Sequence, residues 1–145
     1  MLQSGVIFRK SDKLGSRLIR WGTQESWSHV GVIFDSRVYH SDSKGCHFST
    51  LEEFSHDAET FFLPREISDE QKARAYEALG QKYDWPALVW FAVLFLLRRI
   101  LIRLPEYTIN PKWKVCSEYA TWILWGKVET HTPGEILSRL LETPV

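Results

Sequence analysis

Every segment of this chain with strand character lies before residue 65, and almost everything after it has helical periodicity. That segregation constrains the fold more than any single motif. Alternating strand and helix signals build a parallel sheet, whereas separated blocks build an antiparallel sheet with helices packed on it. Strand patterns occur at Gly5-Val6-Ile7-Phe8-Arg9, Val30 to Phe34, Arg37 to His40 and Thr60 to Leu63. Asp35-Ser36 is a tight turn, so the second and third strands form a hairpin. Pro64 stops the fourth.

The helical signals carry their own punctuation. Leu14, Leu18, Ile19 and Trp21 make a short apolar face that ends before Gly22. Ser49 or Thr50 caps a helix over Leu51 to Phe54, with Glu52 and Glu53 in its first turn. Ser68 and Gln71 stand at capping-box spacing and open a helix to Leu79, with Gly80 as its stop. A further helix runs from Cys116 to Trp125 and stops at Gly126. The last, Ile136 to Leu141, is opened by Thr132-Pro133-Gly134-Glu135. The expected fold class is α+β, one domain over residues 1–145, with a small antiparallel sheet packed by helices. No internal repeat, low-complexity segment or linker divides it.

An extra apolar helix is expected over 86–104, with Pro86 at its first position and Pro105 beyond its end. Ala87 to Leu97 is uninterrupted apolar sequence, shorter than the ~20 residues a bilayer span needs. Extending the run places Arg98 and Arg99 near mid-membrane, at a cost of several kcal/mol. A helix apolar on all sides must be covered by something. Three covers remain open: the domain's own core, a larger protein assembly, or a membrane surface with Trp85 and Trp90 at headgroup depth.

The 18 basic and 18 acidic residues balance, and no basic run is interleaved with aromatics, so nucleic acid is not an expected partner. Cys46 and Cys116 are too few and too scattered for a disulfide framework or a zinc knuckle. The histidines show no close metal-ligand spacing, and no Gly-rich phosphate loop occurs, so neither metal nor cofactor is expected. Met1-Leu2-Gln3-Ser4-Gly5 has no secretory pattern, which points to the cytoplasm or a virion.

Two distant stretches carry the chemistry. Trp27-Ser28-His29-Val30-Gly31-Val32 sets an imidazole at the mouth of an apolar strand. Val115-Cys116-Ser117-Glu118-Tyr119 sets a thiol where a helix begins, where the helix dipole and free amides favour a thiolate and an oxyanion. A helix cysteine alone is ordinarily a small buried hydrophobe, and a strand-end histidine is as often structural as catalytic. The hairpin brings His40 to the same end as His29, where a second imidazole fixes the tautomer of the first. Ser28 and Tyr83 are weaker candidates for lining a pocket.

In this order, the segments Gly5-Val6-Ile7-Phe8, Ser16 to Thr23, Trp27 to Val32, Val38-Tyr39-His40, Gly80 to Trp85, Cys116 to Tyr119 and Thr132 to Ile136 resemble the circularly permuted branch of the NlpC/P60 cysteine hydrolases. That papain-like group includes the YiiX-like proteins and, more distantly, the lecithin retinol acyltransferase-like enzymes. The resemblance covers nearly the whole chain. It implies a permuted papain-like domain with Cys116 as nucleophile, His29 as base and His40 as orienting residue. The YiiX-like proteins usually carry glutamate at the third position, whereas the acyltransferase-like group carries histidine, so the departure bears on substrate class.

Three functions follow as expectations. The first is cleavage of amide bonds in cell-wall (peptidoglycan) peptide through a thioester, as in compact domains of this kind found in bacteriophage tails. The second is a lipid acyltransferase or thioesterase, with an acyl substrate. The third is a non-catalytic structural subunit that uses the apolar helix as its contact.

Overall fold

A computed structural model describes residues 3–23, 25–86, 89–90, 93, 114–129 and 131–143. Most of the expected apolar helix over 86–104 lies outside the described residues. Elsewhere the chain is α+β, with a five-stranded antiparallel sheet. The strands are β1 (Gly5–Lys10), β2 (His29–Phe34), β3 (Arg37–Asp42), β4 (Gly45–Ser49) and β5 (Glu59–Pro64). Their order across the sheet is β4-β3-β2-β1-β5. The helices are α1 (Leu14–Thr23), α2 (Leu51–Ser55), α3 (Asp69–Ala78), α4 (Cys116–Trp125) and α5 (Pro133–Glu142).

The central strands are apolar on both faces because both faces are covered. Val6, Phe8, Val30, Val32, Phe34, Tyr39 and Cys46 point to one side. There they join Ala75 and Ala78 of α3, Tyr119, Ala120 and Ile123 of α4, and Ile136 and Leu140 of α5. The alternate residues Ile7, Ile33 and Val38 point to the other side and pack on Phe54 of α2. Each large apolar side chain sealed in this way stabilises the fold by about 2 kcal/mol.

Helix α4 is buried along most of its length and is stitched to α3 by side chains reaching main-chain oxygens. Tyr119 Oη donates to the Ala75 carbonyl at 2.8 Å, and Trp122 Nε1 donates to the Arg74 carbonyl at 3.1 Å. In return Arg74 Nε donates to the Ile123 carbonyl at 3.0 Å, and Gln71 Nε2 to that of Leu124 at 3.0 Å. Gly126 ends α4 in the left-handed conformation, φ +68°, and its amide donates to the Trp122 carbonyl.

The structure departs from the sequence expectation in four places. Helix α1 continues through Gly22 to Thr23. Strand β3 runs two residues past His40 to Asp42 and turns into β4, which the sequence pattern leaves undefined. Pro64 ends β5 inside the ladder, opposite Gly5, because a proline is tolerated on an edge strand. Helix α5 begins at Pro133, with Thr132 as its cap. The Asp35-Ser36 turn is as expected, and both residues are left-handed (φ 49° and 61°), the backbone that matches strand twist in a two-residue hairpin.

Candidate active site

The β2–β3 hairpin places His29 and His40 in direct contact. His29 Nε2 lies 2.9 Å from His40 Nδ1, and His40 Nε2 lies 2.8 Å from Ser49 Oγ. Ser49 ends β4, where it pairs with Val38, so it sits diagonally beside His40 on the same face. Phe54 holds both rings: it stacks on His29 at 5.5 Å between centroids and meets His40 edge-on at 5.0 Å. Gly31 makes the approach feasible. A Cβ there would stand 2.8 Å from Val38 Cγ1 and 3.4 Å from His40 Cβ.

Both imidazoles are held neutral. Burial lowers the pKa of His29 well below its ordinary value, and the neighbouring His40, Arg9 and His47 lower it further. Burial, with His47 second, brings His40 down to about 4. One proton therefore lies between the two rings, and it has two arrangements. If His29 Nε2–H donates to His40, His40 Nε2–H donates to Ser49 and His29 Nδ1 keeps a lone pair. If Ser49 donates to His40, His40 Nδ1–H donates to His29, and the His29 proton moves to Nδ1. Only the first arrangement leaves His29 a base.

Cys116 opens α4, as the sequence indicates, and both cysteines are free thiols. The amides of Val30, Ser117 and Cys116 itself lie near its sulfur and favour the thiolate. Desolvation outweighs them and pushes the thiol up to about 11. The expectation of a thiolate favoured by the helix start is therefore reversed at rest: the amides act in the expected direction, and burial is the larger effect.

The thiol and the histidines approach from different sides. α4 packs on the face of Val30, whereas strand alternation puts His29 on the face of Phe54. Among the described residues no hydrogen bond joins Cys116 to His29. The sulfur reaches the amide of Val30, the residue next to His29, at the start of β2. The structure thus joins His29 to His40 and brings Cys116 one residue from them.

Tyr83 lies near the thiol: burial raises its pKa, and the Cys116 charge is the next contributor. Ser28 serves another purpose. Its Oγ is 2.6 Å from Ser16 Oγ and donates to the Arg9 carbonyl at 3.3 Å, which fastens α1 to the sheet.

Behind the thiol lies a polar layer that the sequence reading does not reach. Glu118, fully buried, accepts from the Val115 amide through Oε2 at 3.1 Å, the reciprocal bond of a capping box. Among the described residues its Oε1 has no hydrogen-bond partner. Burial first, and Asp84 second among the raising causes, push its carboxyl up to about 7. Lys114, also buried, donates from Nζ to Gln81 Oε1 at 2.6 Å, and its carbonyl accepts from Ser41 Oγ at 2.5 Å. These bonds dock the start of α4 onto β3 and fix where Cys116 stands.

The expectation that no metal-ligating side chains cluster is overturned on the β3–β4 hairpin. Ligand atoms of His40, Asp42 and His47 all lie within 4.8 Å of one another. The spacing along the chain looks loose, but residues 40 and 42 share a face by strand alternation, and His40 pairs with His47 across the ladder. A signal was available in Asp42-Ser43-Lys44-Gly45, a turn between two alternating segments.

Comparison with known proteins adds no assignment. No known protein family matches the chain, and no curated protein is significantly similar to it.

Proposed function

We propose that this chain is an acyl-transfer enzyme of the permuted NlpC/P60 kind, in which Cys116 attacks a carbonyl and His29 is its base. The observation that carries this reading is the His29–His40–Ser49 chain of hydrogen bonds, set one residue from Val30, whose amide lies near the Cys116 sulfur.

The resting pair is a neutral thiol and a neutral imidazole, so proton transfer accompanies attack. His29 Nδ1 takes the Cys116 proton as the sulfur–carbon bond forms. His40 accepts from His29 Nε2–H and passes the order on to Ser49, which holds the base-competent tautomer. A second imidazole stabilises the resulting imidazolium less than a carboxylate does. The amides of Val30, Ser117 and Cys116, which favour negative charge at the sulfur, are the donors for the oxyanion. His29 then returns the proton to the leaving group. Water, or another acceptor, resolves the thioester.

The substrate expected from the family resemblance is an amide of cell-wall peptide. A second reading, a lipid acyl substrate, has an observation of its own. Trp85, Val89 and Val93, which follow Tyr83, are exposed apolar side chains, and their neighbourhood suits an acyl chain.

One experiment tests the chemistry and separates these substrates. The protein is incubated with muropeptides, with phospholipid vesicles and with acyl thioesters, acid-quenched, and the Cys116 peptide is weighed by mass spectrometry. An acyl adduct that His29→Ala abolishes supports the mechanism, and the substrate that forms it selects the class. Turnover that persists in Cys116→Ala, or no adduct and no turnover with any substrate, refutes it.

A further inference from the structure

We propose that His40, Asp42 and His47 form a binding site for a divalent cation of the zinc class on the β3–β4 hairpin. The His47 ring is already oriented as a ligand. Its Nδ1 lies 2.9 Å from the Gly45 carbonyl, which can only accept, so Nδ1 carries a proton and Nε2 is the nitrogen left to bind an ion. That nitrogen faces Asp42 Oδ2 at 3.5 Å. The contact takes a positive charge, and a metal ion between the neutral ring and the carboxylate supplies it in place of a proton. Asp42 is oriented as well, because its Oδ1 accepts from the Lys44 amide at 2.9 Å, leaving Oδ2 for the site. Such outer bonds from a main-chain oxygen and a main-chain amide are what hold metal ligands in place.

The dimensions fit. Tetrahedral zinc with ligands at about 2.0–2.2 Å sets neighbouring ligand atoms about 3.4 Å apart. The His47–Asp42 separation already has that length, and the His40 nitrogen lies within 4.8 Å of both. Imidazole and carboxylate together suit zinc, cobalt and nickel better than magnesium or calcium, which take oxygen. His47 and Asp42 are partly exposed, so the ion enters from solvent, and a water fills the fourth position. Arg9 and Lys44 place positive charge near His40, and Asp42 opposes them. The site is therefore weaker than a four-ligand structural zinc site.

The site shares His40 with the proposed proton chain. Its Nδ1 faces His29, so the cation takes Nε2 in exchange for the Ser49 hydroxyl. A metal on Nε2 leaves the His40 proton on Nδ1, which donates to His29 Nε2 and sends the His29 proton to Nδ1. That is the arrangement with no base for Cys116. Zinc is then an inhibitor, a consequence that rests on the acyl-transfer reading, whereas binding does not.

The test is isothermal titration of the full chain with zinc chloride alone, followed by the visible spectrum with cobalt(II). The expected result is one ion per chain, retained in Cys46→Ser and Cys116→Ser. His47→Ala and Asp42→Asn each weaken it by at least about tenfold. Cobalt should show the d–d bands of a tetrahedral site without a thiolate charge-transfer band. No binding, binding unchanged in His47→Ala, or binding lost in Cys116→Ser overturns the site. Zinc that binds as expected should also suppress acyl-adduct formation in wild type and not in His47→Ala. Binding that leaves adduct formation unchanged upholds the site and overturns the inhibition.

Discussion

Glu118→Gln tests whether the buried carboxyl behind Cys116 holds its proton near neutral pH. The carboxyl moves from an ordinary 4.5 to about 7 on folding, which corresponds to about 3 kcal/mol. Its sign follows from proton counting. Between those two values the unfolded chain has released the proton and the folded chain keeps it. The stabilising contribution is therefore complete below the unfolded value and is lost as pH rises through the folded one. His29 and His40 work in the opposite sense, since their folded values are depressed and their neutral forms favour the fold as pH rises. The wild-type curve mixes these effects, so the difference between wild type and variant is the quantity to measure. Glutamine keeps an oxygen for the Val115 amide and cannot ionise. Urea midpoints from about pH 4 to about pH 8 should show the variant gaining about 3 kcal/mol on wild type, most of it between the unfolded and the folded value, with a plateau once folded Glu118 has ionised. A difference that stays constant, or that moves the other way, refutes the reasoning. The same change reaches the site chemistry. Ionised Glu118 raises the Cys116 thiol, so the variant should be alkylated faster by iodoacetamide above neutral pH.

Three further changes probe the scaffold around the site. Ser36→Gly removes a left-handed non-glycine residue from the hairpin turn and should add about 1 kcal/mol to stability, read as a higher urea midpoint. Gly31→Ala places a Cβ against Val38, the Tyr39 carbonyl and His40. It should cost about 1–3 kcal/mol and lower Cys116 acyl-adduct yield in the protein that remains folded. Glu25→Ala should lower the urea midpoint by about 2 kcal/mol. Its carboxylate accepts from Thr132 Oγ1 at 2.5 Å and from the Gly134 amide at 2.9 Å, and these bonds hold the start of α5 against the chain before β2.

What was legible in the sequence was whatever a local period or a cap encodes. The hairpin of β2 and β3, the capping box of α3, the openings of α2 and α5, and the start of α4 at Cys116 all follow from neighbours within four residues. The contact of His29 with His40 was also readable, because a two-residue turn fixes register. β4 was harder to read. It has few β-branched residues, and its side chains are set by pairing with β3 rather than by a buried apolar stripe. With β4 undefined, Ser49 could not be placed beside His40, nor His47 opposite it. Burial was equally hidden. A helix start predicts amides around a thiol, but not the desolvation that outweighs them and holds Cys116 as a thiol at rest.

The same hairpin register that supports the base also exposes it to a competitor. His40 has two ring nitrogens. One is spent on His29 and the other bonds Ser49, and a nitrogen of this ring lies within 4.8 Å of the His47 and Asp42 ligand atoms. A hydroxyl can accept or donate, so Ser49 permits either proton order. A metal ion only accepts electron pairs, so it permits one order alone, the one that removes the lone pair facing Cys116. Among the described residues His47 bonds the Gly45 carbonyl and not His29, and Asp42 accepts from the Lys44 amide of the turn rather than from the catalytic rings. Removing either ligand therefore separates the two uses of His40: the proton chain keeps its partners, while the cation loses its own. If both uses failed together in His47→Ala, His47 would belong to the proton chain, and the hydrogen bonds from His29 through His40 to Ser49 would not be sufficient to hold the base.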